Sequence, residues 1–111
     1  MRLTVITPTI GRPSLEVTLA TIASQLRPGD EHIVIGDGVR LEAAEMGAMF
    51  GATYHDGPVA RDYGNTQRDL AAQLATGEYI MYCDDDDTFM PDALAIVRDV
   101  LSSQPGIPHI F

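Results

Sequence analysis

Four consecutive aspartates, Asp84 to Asp87, follow directly on the apolar stretch Tyr79 to Cys83 in the run YIMYCDDDDTFMPD. Adjacent carboxylates repel and raise one another's pKa, whereas a turn needs only one Asp or Asn for its local hydrogen bonds. A solvated acidic turn is the plainer reading of a charge run. The position at a strand's end favours a cation seat, because Mg²⁺ and Mn²⁺ prefer carboxylate and water oxygens. A calcium loop of the EF-hand kind does not fit: counted from Asp84, Phe89 stands where that loop needs Gly and Ala95 where it needs Glu.

The rest of the composition narrows the chemistry. Sixteen acidic residues against seven arginines, with no lysine, give a formal net charge of −9. Such a surface repels nucleic-acid phosphates. Without lysine, neither a P-loop nor Schiff-base catalysis can operate. The single cysteine, Cys83, has no internal partner, and the carboxylates beside it disfavour a thiolate, so it reads as a buried strand-end residue. His32, His55 and His109 share no metal-ligand spacing and read as structural. Mean hydropathy is near zero and no apolar run reaches the ~18 residues of a membrane span, which predicts a cytoplasmic protein without one.

The elements that would position the aspartates follow from hydrophobic spacing. Leu3 to Thr7 reads as a central first strand ended by Pro8, and Pro13-Ser14 opens a helix with Leu15, Leu19, Ile22, Ala23 and Leu26 on one face. Glu31 to Ile35 is a second strand, presenting Asp37 in the turn Gly36-Asp37-Gly38. Leu41 to Phe50 predicts a helix, Ala52 to His55 a third strand ended by Asp56-Gly57-Pro58, and residues 57 to 64 a Gly/Pro-containing loop with Asp56 and Asp62 beside it. Asn65 is the expected N-cap of a helix carrying Leu70, Ala71, Leu74 and Ala75 inward, and Glu78 to Cys83 is strand four, with Tyr82 in the core. Pro91 opens a last helix with Leu94, Val97 and Leu101 on one face, and Ile107 to Phe111 resembles a further strand. This alternation predicts one α/β domain over residues 1–111: a Rossmann-like, mostly parallel sheet with helices on both faces. Ligands of such sheets bind outside the carboxyl ends of the strands, which gathers Pro8, Thr9, Asp37 and the aspartates at one edge.

Two families share parts of this pattern. Asp84-x-Asp86-x-Thr88 after an apolar strand resembles the D-x-D-x-T of haloacid-dehalogenase-like phosphatases, with Asp84 as nucleophile and Asp86 as acid/base. That motif normally follows the first strand of its domain, and Arg98 is the only basic residue after it here. More of the sequence is accounted for by LTVITPTIGRP, HIVIGDG and NTQRDLAAQLATGEYIMYCDDDDTFMPDAL. Together these resemble the nucleotide-sugar-binding half of family 2 glycosyltransferases of the GT-A fold, over essentially the whole chain.

The resemblance implies a metal-dependent, inverting transfer from a nucleotide-diphosphate sugar, UDP- or GDP-linked. It sets Thr7, Pro8 and Thr9 beside base and ribose, Asp37 on the base, Arg68 near the nucleotide, Asp84 and Asp85 on the donor, and Asp86 with Asp84 on Mn²⁺ or Mg²⁺. Gly36, Asp69 and Ala71 depart from the family's Asp, Asn and Gly. Electrostatics favours the metal independently: a diphosphate brought against these carboxylates costs about 4 kcal/mol per pair of unit charges 4 Å apart at an effective dielectric of 20. In the resembling family the general base and acceptor pocket follow the D-x-D, so this chain is expected to carry the donor-binding part. A non-catalytic nucleotide-binding module is the alternative. An apolar edge strand predicts a homo-oligomer.

Overall fold

The computed structural model describes residues 2–103. Its elements run β1 (Leu3–Thr9), α1 (Leu15–Ala23), β2 (Glu31–Asp37), α2 (Leu41–Met49), β3 (Thr53–Gly57), α3 (Asn65–Leu74), β4 (Tyr79–Tyr82) and α4 (Ala93–Ser103). The strand expected at Ile107 to Phe111, and His109, lie outside the described residues. The four strands form one all-parallel sheet in the order β3-β2-β1-β4. The α/β architecture with helices on both faces is as expected.

Strand alternation sorts the core. Val5, Val34 and Met81 face the layer of α1, α2 and α4, where they meet Leu15, Leu19, Ile22, Leu94, Val97 and Leu101. Ile6, Ile33 and Ile35 face the other way, onto Ala71 of α3. Right-handed crossovers explain the split: β1-α1-β2 and β2-α2-β3 step outward on one side, and the return from β3 across to β4 must place α3 on the opposite face.

Several sequence expectations are corrected. β1 continues through Pro8 to Thr9, paired with Ile35 and Gly36 of β2. Proline is tolerated because its missing N–H costs nothing there: the Ile6 carbonyl faces β4, accepting from Cys83 N–H, and alternation turns the Pro8 nitrogen to that same side, beyond the last β4 pair at Ile6 and Tyr82. Gly64, not Asn65, is the residue preceding α3, and Asp62 supplies the cap, accepting from Thr66 N–H and from Thr66 Oγ1 at 2.5 Å. Leu70 and Leu74 are partly exposed because α3 lies on the sheet through Gln67 and Ala71. Tyr82 is 48% exposed, since α3 contacts β1 and β2 and leaves this end of β4 uncovered.

The buried Arg98–Asp30 ion pair ties α4 to the start of β2, and Asp30 also accepts the backbone N–H of Leu3 and Arg27. Burial opposes the Asp30 charge, but these two N–H groups and Arg98 outweigh it and hold the carboxyl below its ordinary range. No helix among the described residues is long and apolar enough to cross a membrane.

Candidate functional site

A cavity of about 500 Å³ opens at the carboxyl ends of the strands, within the size range of small-molecule sites. Pro8, Thr9, Asp37, Asp84, Asp85 and Asp86, nominated from sequence, all line it. Arg68 reaches the same group through Asp84. Thr7 is turned away: its hydroxyl shares a 2.7 Å hydrogen bond with Nε2 of buried His32 on the sheet's α1 side, and it does not line the cavity. Burial alone holds that imidazole down to about 4, so it is neutral at pH 7.

The four aspartates divide by what they touch. Asp84 and Asp87 close a turn, with the Asp87 N–H donating to the Asp84 carbonyl at 3.1 Å. Asp85 points inward and is buried; it accepts from Thr9 Oγ1 at 2.8 Å and from Ile10 N–H at 3.1 Å, while its carbonyl accepts from Ser14 Oγ. Asp85 therefore fastens the acidic turn to the end of β1 and the start of α1. Its three neighbours remain outside: Asp84, Asp86 and Asp87 each offer a carboxylate oxygen, all within 4.8 Å of one another. Three convergent hard oxygens suit Mg²⁺ or Mn²⁺. Asp87 is not among the cation ligands nominated from sequence, because one-dimensional spacing does not reveal that a tight turn returns the fourth carboxylate to the first.

Arginines offset this charge. Arg68 bonds Asp84 at 2.5 Å, and Arg12 contacts Asp86 at 3.1 Å and Asp85 at 3.7 Å. Arg12, Arg40 and Arg61 line the cavity, and the buried Nε of Arg40 finds no acceptor among the described residues. None of these three arginines is among the residues nominated from sequence. Nothing in their local spacing gives them away, because loops from three different elements bring them together. The Cys83 thiol is pushed up to about 12 by burial and by Asp87, Asp84 and Asp86, which removes it as a nucleophile.

The opposite wall is a strained loop. Arg61 and Tyr63 have φ of 51° and 62°, a conformation L-residues rarely adopt. Asp37 holds it there, accepting from Ala60 N–H at 2.7 Å and from Arg61 N–H at 2.9 Å. Gly64, at φ 84°, lies so close to β1 that a Cβ would sit 2.9 Å from Pro8 Cγ. Gly36, where the resembling family has Asp, leaves room for the Tyr54 hydroxyl, which in turn accepts the Arg40 N–H that opens α2.

The family model for glycosyl transferase family 2 matches residues 4–106. No curated protein sequence matches significantly. Among solved structures, Staphylococcus aureus TarS superposes with a TM-score of 0.79 at 21% identity, over 93% of this chain and 20% of that one. The TarS 1–349 complex with UDP-GlcNAc gives 0.74 at 22% identity, over 93% and 32%. The Pyrobaculum calidifontis mannosyltransferase PcManGT, in complex with GDP-Man and Mn²⁺, gives 0.78 at 23% identity, over 95% and 33%. The chain thus spans a fifth to a third of these structures, and at such identity they establish the GT-A nucleotide-binding fold alone. With the family model covering nearly its whole length, this chain belongs to glycosyl transferase family 2.

Proposed function

We propose that the cavity binds a nucleotide-diphosphate sugar together with a divalent cation, and that the chain is the donor-binding part of an inverting glycosyltransferase. The observation that carries this reading is the meeting of Asp84 and Asp86, whose carboxylates converge with that of Asp87, with Arg12 and Arg40 at one strand-end cavity in a chain of net charge −9. An acidic protein that spends scarce arginines there is built for a polyanion, and an acidic cluster beside a polyanion calls for a metal.

Asp84, Asp86 and Asp87 would hold the cation, Mn²⁺ or Mg²⁺; when bound, it supplies Lewis-acid stabilisation of charge on the diphosphate. The chain's own residues do the remaining work. Arg12 and Arg40 meet phosphate oxygens, Pro8, Thr9 and Asp37 shape the nucleoside end, and Arg68 fixes Asp84. Asp85 positions the turn that carries the cation's ligands. The UDP-GlcNAc and GDP-Man in the TarS and PcManGT complexes support a UDP- or GDP-linked donor here. The phosphatase alternative gains no support, because the acidic turn follows β4 and not the first strand, and the family model for glycosyl transferase family 2 spans the same residues.

Isothermal titration with UDP and GDP, with Mn²⁺ or with EDTA, tests the proposal. Binding that requires the metal is expected, and the absence of binding for both nucleotides in Mn²⁺ would overturn it. Hydrolysis or transfer of the bound donor by this chain would rule out the purely non-catalytic module.

A further inference from the structure

Gln67 stands apart from the other cavity residues. It is fully buried in the first turn of α3, yet it is among the residues at the cavity wall. Nε2 donates to the Pro58 carbonyl at 2.7 Å, and Oε1, equally buried, has no donor among the described residues. The orientation of the amide is fixed by that bond, since exchanging its ends would set two carbonyl oxygens against each other. A buried position in a helix whose Ala71 packs on Ile6, Ile33 and Ile35 would be served as well by an apolar side chain, and an unpaired buried carbonyl is costly to fold. A group retained at such a cost fits one whose partner arrives with the ligand.

Its place in the fold says which part of the ligand. Gln67 is bonded to the Pro58 carbonyl, which also accepts from Gly38 N–H beside Asp37, whereas the acidic turn follows β4. The order β3-β2-β1-β4 sets the β3 and β4 ends about 14 Å apart, and α3 lies over β1 and β2 between them, with Arg68 turned to Asp84 and Gln67 to the β3 side. A nucleoside diphosphate whose phosphates meet the acidic turn and its arginines therefore directs its base toward Gln67. Asp37, the sequence-nominated reader of the base, has each carboxylate oxygen already engaged by a backbone N–H of the strained loop.

Building on the proposed nucleotide site, we propose that Gln67 Oε1 is a specificity-determining acceptor for the ring N–H of a lactam base, N3–H of uracil or N1–H of guanine. Cytosine and adenine present a lone pair at that position, and two facing acceptors repel. The site thus selects UDP over CDP, or GDP over ADP.

The test is isothermal titration of UDP, CDP, GDP and ADP in Mn²⁺ with the wild-type chain and with Gln67→Met, which keeps the volume and removes the acceptor. Wild type is expected to prefer the lactam member of the pair it binds by about tenfold or more, and the Met variant to shrink that preference to within about twofold. Near-equal wild-type affinities within each pair overturn the inference even if the variant fails to fold. An equal loss for all four nucleotides in Gln67→Met also overturns it, by showing a structural staple to Pro58. Metal-dependent binding without base preference leaves the nucleotide site standing, whereas no binding of any nucleotide removes both.

Discussion

At the scale of single residues, a run of four identical side chains has become four different environments. Asp85 holds buried hydrogen bonds to Thr9 and Ile10, whereas Asp86 is exposed beside Arg12. Asp85→Ala should therefore lower stability by about 1–3 kcal/mol, read from the urea midpoint, and Asp86→Ala should stay within about 0.5 kcal/mol of wild type. His32 gives a pH-dependent counterpart. Its pKa is about 4 folded against 6.5 unfolded, so between those values the unfolded chain binds more protons and acid favours unfolding. From pH 7 to pH 5 this group alone should remove about 2 kcal/mol of stability, and His32→Gln, which can still meet Thr7, should flatten that slope in urea titrations at the two pH values.

At the scale of elements, the strands were legible because β-branched runs and Gly/Pro punctuation are local signals. What was not legible depended on neighbours. Pro8 reads as a strand end, yet β1 absorbs it because β4 has already left that side of the ladder. The stripe Leu70, Ala71, Leu74 and Ala75 reads as an inward face; Ala71 and Ala75 do pack on the sheet, but the other buried residue is Gln67, which no hydrophobicity pattern would select. The aspartates, Pro8, Thr9 and Asp37 could be gathered at one edge because a parallel sheet puts every strand's carboxyl end there. The arginine lining could not, since it comes from loops without a shared pattern. Gly36 ties two elements together: Gly36→Ala should cost about 1–3 kcal/mol through collision with the Tyr54 hydroxyl and the Gly38 carbonyl, and adding Tyr54→Phe should restore only the hydroxyl's part of it in a double-mutant cycle.

At the scale of the whole molecule, the α1, α2 and α4 layer covers one face of the sheet, while α3 alone occupies the other. On that second face Ile80 and Tyr82 of β4, with Leu70 and Leu74 of α3, remain partly exposed. Self-association by this chain should cover them: sedimentation velocity is expected to give a dimer or larger species that Tyr82→Arg weakens, and a concentration-independent wild-type monomer would contradict this. The proposed polyanion-and-cation site lies where acidic turn, arginines and cavity meet, at the carboxyl ends of the strands. Its most direct test is the thermodynamic coupling between Mn²⁺ and nucleotide, measured by titrating UDP or GDP with and without the metal in wild type and in the Asp84→Asn/Asp86→Asn double variant. Mn²⁺ should tighten wild-type nucleotide binding by about tenfold or more, with the reciprocal gain in Mn²⁺ affinity, and the coupling should vanish in the variant. Nucleotide affinity that is the same in Mn²⁺ and in EDTA would contradict the account.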